Sequence, residues 1–149
     1  MSVNKITNNE LATKELAKKL ASSLNMGSVI TLEGEMGAGK TTFVQGFGEY
    51  FKITRMTSPT YTLIKEYPIA TKNSKLQNIN HIDLYRLSSK DEAESIGIKE
   101  IIDDNKAITL IEWPEKIKSL LPKKYISVTI KKLKENQRQI IINNSELVF

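Results

Sequence analysis

The 149-residue chain has no cysteine. It can form neither a disulfide framework nor a thiolate metal site, and it suits a reducing cytosol. His81 is the only histidine, and a lone histidine on a strand is read as structural rather than catalytic. No run approaches the roughly 18 apolar residues of a membrane span. The opening "MSVNKITNNELATKELAKKLASSL" lacks the apolar centre of a secretory signal. The expectation is a cytoplasmic protein with no membrane association. Arginine is scarce, with only Arg55, Arg86 and Arg138.

The positive charge is unevenly spread. The formal net charge is +5, and Lys116, Lys118, Lys123, Lys124, Lys131, Lys132, Lys134 and Arg138 lie close together, opposed mainly by Glu115 and Glu135. One reading is a solvated lysine face. The other is an electrostatic footprint for an acidic partner or RNA. A single aromatic, Tyr125, stands among these lysines to stack a base, so sequence-specific RNA reading is not expected. With 26% charged and 40% apolar residues, the balance is that of a globular protein. The length fits one domain, residues 1–149.

Leu11, Leu16, Ala17, Leu20, Ala21 and Leu24 recur at helical spacing and predict a helix of roughly four turns. Asn8 or Asn9 could cap it, and Gly27 stands just past its end. "SVITLEG" reads as a buried strand running into a glycine-rich loop, and "KTTFVQGFGEYF" as a helix weakened by Gly46 and Gly48. "TLIKEY" and "INHIDLYRL" read as strands, the second ending near Asp83, with "ATKNSKLQN" as a polar turn between them. Ser88 and Ser89, three residues before Asp91 and Glu92, give overlapping capping boxes for a helix that breaks at Gly97. "AITLIEW" is a strand covered on both faces. "YISVTIKKL" and "RQIIIN" flank "KENQ" as an antiparallel hairpin. Strands and helices alternate, so the expected fold is an α/β domain with a largely parallel central sheet, flanking helices and a C-terminal antiparallel hairpin.

Gly34, Gly39, Lys40 and Thr41 satisfy the pattern G-x-x-x-x-G-K-[ST]. It sits between a strand and a helix, the context it requires. The glycines let successive N–H groups turn inward as an anion nest, and the following helix adds its positive end. Lys40 can reach the β- and γ-phosphates, and the Thr41 hydroxyl can join the shell of a magnesium ion. A guanine-reading N-K-x-D is missing, since "NKAI" places Ile108 where the carboxylate should stand. Asp83 is followed by "LYR", so no D-x-x-G switch exists either. ATP is the expected nucleotide.

Magnesium in such a site needs an acid at a neighbouring strand end. Glu112 and Asp83 both qualify, because strand C-termini in parallel α/β sheets converge on the ligand crevice. Glu112 is favoured for the metal, directly or through water. Asp83 would then orient the attacking water or brace Thr41. "TSPTYT" is read either as a loop sensing the γ-phosphate or as a hydrogen-bonded turn. Trp113 could serve the core, a lid or a partner contact.

"GEMGAGKTTFVQGF", "SPTYTLIKEY", "HIDLYRL" and "IEWPE" occur in the order and spacing of the bacterial TsaE proteins, formerly YjeE, so the chain resembles that family over residues 8–143. The resemblance implies a P-loop NTPase-like domain that binds ATP and magnesium and hydrolyses ATP slowly alone. It implies work with TsaB and TsaD, the latter transferring a threonylcarbamoyl group to adenosine 37 of tRNAs that read codons starting with A. Contact with tRNA would be indirect, through that complex, which ATP hydrolysis resets. The family's nucleotide loop falls on Gly37, Ala38, Gly39, Lys40, Thr41 and Thr42, with magnesium on Thr41 and Glu112. Its strand-end acid falls on Asp83. The loop that changes with nucleotide state falls on Ser58, Pro59, Thr60 and Tyr61. Further nucleotide contacts map near Glu10, to Glu115 and to Arg138. The implied catalytic set is Lys40, Asp83 and Glu112. The sequence sets no oligomeric state, and a monomer is the simplest expectation for the free chain.

Two alternatives differ in class. A free-standing small-molecule kinase of this size commonly uses several lid arginines around the transferring phosphoryl group, and three arginines without a lid insertion count against it. A non-hydrolysing module would use nucleotide only to order the "TSPTYT" loop for docking.

Overall fold

The computed structural model describes residues 2–57, 63–69 and 75–144. In chain order the first elements are β1 (Ser2–Thr7), α1 (Glu10–Ser23), β2 (Val29–Glu33), α2 (Lys40–Tyr50), β3 (Ile64–Pro68) and β4 (Asn78–Asp83). There follow α3 (Lys90–Ser95), α4 (Ile98–Ile102), β5 (Ala107–Glu112), a 3₁₀ segment (Pro114–Leu120), β6 (Ile126–Lys134) and β7 (Gln137–Asn143). Contacts group the described residues into two units interleaved along the chain. One draws on 1–24, 32–57 and 126–149, the other on 25–31 and 58–125, so β2 contributes to both.

The strands hydrogen-bond in the order β1-β7-β6-β2-β5-β4-β3. The sheet is mixed. β4 and β5 are parallel, with Asp83 opposite Glu112, whereas β3 runs antiparallel to β4. β6 and β7 form the expected hairpin, with a register shift between Lys132 and Lys134. The antiparallel part extends further than the hairpin, because β1 pairs antiparallel with β7 from Ser2↔Asn143 to Thr7↔Arg138. Sequence pattern does not reveal β1. Of its six residues only Thr7 is buried, so no apolar alternation marks it, and β7 supplies its hydrogen bonds.

In the first unit, Asn9 caps α1, its side chain accepting from the Ala12 N–H at 2.7 Å. The buried face is Thr13, Ala17, Leu20 and Ala21. Leu11, placed on that face by spacing, is 67% exposed. Thr13 takes its position because its hydroxyl meets that of Thr7 at 2.7 Å, so a paired polar group replaces an apolar one. The helix ends without a glycine cap: Leu24 is extended, and Gly27 (φ 89°) turns the chain only later, in the second unit, where its N–H bonds the Ala107 carbonyl at 2.7 Å.

Helix α2 packs on α1, and the packing explains Gly46. A Cβ at Gly46 would lie 2.5 Å from Lys14 Cα and 2.7 Å from its carbonyl oxygen. One at Gly48 would meet Met56 Sδ at 2.5 Å. Alanine at position 46 would gain about 0.8–1 kcal/mol of helix propensity. It would also force apart two backbones that cannot yield as a flexible side chain does, an overpacking cost of about 1–3 kcal/mol or more. Gly46→Ala is therefore expected to lower the denaturant midpoint with an unchanged m-value. A midpoint at or above that of the parent would contradict the close approach.

In the second unit, Val29, Ile82, Leu84, Ile98, Ile111 and Ile117 belong to one apolar cluster. The Ser89 hydroxyl accepts from the Glu92 N–H at 3.2 Å, and the Glu92 carboxylate accepts from the N–H and hydroxyl of Ser88. The two Ser88 bonds, with the Lys116 cation, hold the Glu92 carboxyl below the usual glutamate range. Gly97 (φ 83°) separates α3 from α4, as the sequence suggested. Among the described residues no helix is long and apolar enough to cross a membrane.

Candidate nucleotide site

The loop between β2 and α2 is shaped by glycine. Gly37 and Gly39 adopt φ 81° and 112°, a region that favours residues without a Cβ. Gly34 is needed for space, since its Cβ would lie 2.7 Å from the Ile130 carbonyl oxygen. Lys40 opens α2 and is buried, and its ammonium donates to the Gly34 carbonyl across the loop. The cation is thereby turned back over the loop. Thr41 is exposed and Thr42 half-buried.

Arg138, on β7, braces this loop. Its Nε donates to the Ala38 carbonyl at 2.7 Å, and its Nη1 donates to the carbonyls of Lys134, Glu135 and Gln137 at 3.0–3.2 Å. A cavity of about 220 Å³ opens beside it, lined by Asn9, Glu10, Thr13, Gly39, Thr42, Glu135, Asn136 and Arg138. Glu10 and Arg138, 128 positions apart in the chain, thus meet two loop residues at one polar pocket. Sequence spacing could not find Asn9, Glu135 or Asn136. The hairpin turn brings the last two there, and no local pattern announces it.

In the second unit the register places Asp83 and Glu112 side by side at the ends of β4 and β5. Asp83 Oδ1 accepts from the Tyr85 N–H at 3.0 Å, and the Leu84 N–H donates to the Glu112 carbonyl at 3.1 Å. Glu112 is buried, and its Oε2 lies 2.6 Å from His81 Nε2. The lone histidine, read as structural, is thus a direct partner of the favoured metal carboxylate. His81 Nδ1 is buried without a hydrogen-bond partner among the described residues, as are Thr31 Oγ1 and Asn80 Oδ1. Glu115 is exposed on the 3₁₀ segment.

Trp113 follows Glu112 with φ 58° and ψ 57°, strained for a bulky residue. Its half-buried ring packs against the apolar cluster and lies 5.2 Å from that of Tyr85. Core packing accounts for part of this residue, and the left-handed turn lets Pro114 leave the strand end. Ser58, Pro59, Thr60 and Tyr61 lie outside the described residues. All seven lysines of the C-terminal cluster are exposed. Among the described residues no three or more His, Asp or Glu side chains form a metal cage. The carboxylates of Asp83 and Glu112, on facing register positions at two strand ends, are hard oxygen donors of the kind magnesium takes.

The fold and the glycine loop define a P-loop NTPase-like α/β protein. Residues 7–140 match the family model described as threonylcarbamoyl adenosine biosynthesis protein TsaE, and the chain belongs to that family. It is 40% identical over 135 residues to the Bacillus subtilis tRNA threonylcarbamoyladenosine biosynthesis protein TsaE, covering 90% of this chain and 80% of the relative. It is 43% identical over 145 residues to the Rickettsia felis protein of the same name, covering 95% and 81%. The crystal structure of Bacillus subtilis YdiB superposes with a TM-score of 0.77 at 33% identity, covering 97% of this chain and 86% of that one.

Proposed function

We propose that this chain is the ATP-binding and ATP-hydrolysing subunit of a cytoplasmic system that makes threonylcarbamoyladenosine at adenosine 37 of tRNAs reading codons that start with A. The observation that carries the reading is the cavity in which Glu10 and Arg138 meet Gly39 and Thr42 of the phosphate loop. The phosphates sit on the N–H groups of residues 37–42, and Lys40 neutralises their charge. The pocket beside the loop takes the rest of the nucleotide, with Arg138 holding the loop in shape. Thr41 and Glu112 would hold magnesium, which would supply charge neutralisation on the phosphate oxygens. Asp83, its carboxylate oriented by the Tyr85 N–H, orients the attacking water or braces Thr41. Glu115 is a further nucleotide contact, and Ser58–Tyr61 respond to nucleotide state.

The partners in this reading are TsaB and TsaD. The chain meets tRNA through them, and hydrolysis resets the complex between rounds of modification. Arginine scarcity separates the reading from a kinase, and it leaves the site without an evident finger of its own. Turnover by the chain alone is expected to be slow. It is expected to rise at least tenfold when TsaB, TsaD, tRNA and the activated threonylcarbamoyl donor are added, measured as phosphate release. Retained ATP binding with no rise in the full mixture would overturn the coupled-ATPase reading in favour of a nucleotide-gated binding module.

A further inference from the structure

Glu112 is the carboxylate on which the proposed magnesium site depends, and its surroundings give His81 a role. On the parallel pair β4–β5, His81 stands opposite Leu110 and Asp83 opposite Glu112. Residues two apart on a strand share a face, so the His81 ring reaches diagonally forward to the end of β5. There Nε2 lies 2.6 Å from Glu112 Oε2. The two side chains are only 1% and 4% exposed, so water does not compete for the contact.

The second ring nitrogen sharpens the assignment. His81 Nδ1 is buried with no hydrogen-bond partner among the described residues. A buried N–H without an acceptor is rarer and costlier than an acceptor left unused. The ring proton therefore belongs on Nε2, where it is donated to Glu112. Among the described residues the ring's one polar contact is with that carboxylate oxygen.

We infer that His81 is a positioning residue for Glu112. It fixes the carboxylate rotamer through Oε2, in the arrangement from which Glu112 would hold the cation. The inference rests on the reading of Glu112 as a metal ligand. Partners that orient metal-binding side chains in this way are typically worth 10–100-fold in metal affinity.

The test uses the full chain with ADP and Mn²⁺ as a paramagnetic stand-in for magnesium. Mn²⁺ affinity in the ADP complex is read by electron paramagnetic resonance, and metal-free ADP affinity by calorimetry. His81→Ala is expected to weaken Mn²⁺ binding about 10–100-fold while metal-free ADP affinity changes by less than about twofold. His81→Gln, whose amide nitrogen can still donate to Oε2, is expected to recover most of that loss. His81→Asn, whose amide is too short to reach, is expected to recover little, and the Gln/Asn pair decides the question if alanine unfolds the chain. Unchanged Mn²⁺ affinity in His81→Ala, equal losses with and without metal, or Gln performing no better than Asn would each overturn the inference. Glu112→Gln separates it from its premise. If that variant keeps wild-type Mn²⁺ affinity, the reading of Glu112 fails. If it loses affinity and His81→Ala does not, only the role of His81 fails.

Discussion

Lys40→Ala is expected to abolish measurable ATP turnover, with a loss of at least two to three decades in kcat/KM. The magnitude follows from where the ammonium sits. It is buried at the head of α2 and bonded to the Gly34 carbonyl, so it is directed over the loop before any ligand arrives. A preorganised cation in a water-poor site stabilises developing phosphate charge far better than a solvated one. Removing one such donor typically costs about 2.7–4 kcal/mol, and each 1.36 kcal/mol is tenfold in rate. The exposed lysines of the C-terminal cluster supply a contrast. Lys123→Ala removes the same formal charge from an exposed position and is expected to leave turnover within about twofold, since surface charges are weakly coupled to a site. Phosphate-release kinetics and nucleotide binding, with circular dichroism to confirm folding, check both. A Lys40→Ala protein that turns over normally would remove the phosphate loop from the mechanism.

The second large effect belongs to Glu112. Glu112→Gln keeps the side-chain volume and an oxygen acceptor for His81 but removes the negative charge. Glu112→Ala would add a cavity and strand the His81 N–H, so the glutamine variant is the cleaner probe. Turnover is expected to fall by at least a hundredfold, and the magnesium dependence of nucleotide binding to vanish. Metal-free nucleotide affinity should hold or rise, because the carboxylate no longer opposes the phosphates. A titration of ATP affinity against magnesium checks this. A variant with the parent's magnesium dependence would mean that Glu112 is a structural acid, held by His81 for the sake of the sheet.

Much of the fold was legible because it is written locally. The strand before the loop, the break at Gly97, the Ser89 cap and the C-terminal hairpin each depend on residues within a few positions of one another. β1 was not, because its partner is β7, and a strand with one buried residue in six carries no periodic signal. The face of α1 was half legible. Leu11 was counted with the apolar stripe yet is exposed, while Thr13 is buried with its hydroxyl against that of Thr7. Gly46 and Gly48 looked like weaknesses of a helix and are positions of close approach. Propensity reads a residue alone, and the cost of a Cβ depends on what stands opposite.

The candidate site divides in the same way. Local spacing marks the candidate phosphate loop, because an anion nest needs glycine, lysine and a hydroxyl at set spacings within one turn of chain. It also marks the two strand-end acids, since an apolar run ending in a carboxylate carries its own signal. The folded chain brings Glu10 and Arg138 to the same cavity as Thr42 and sets Asp83 opposite Glu112. It alone made His81 the partner of that glutamate. Sheet register and a hairpin closing across the chain decide such contacts, and neither leaves a mark in the spacing of residues.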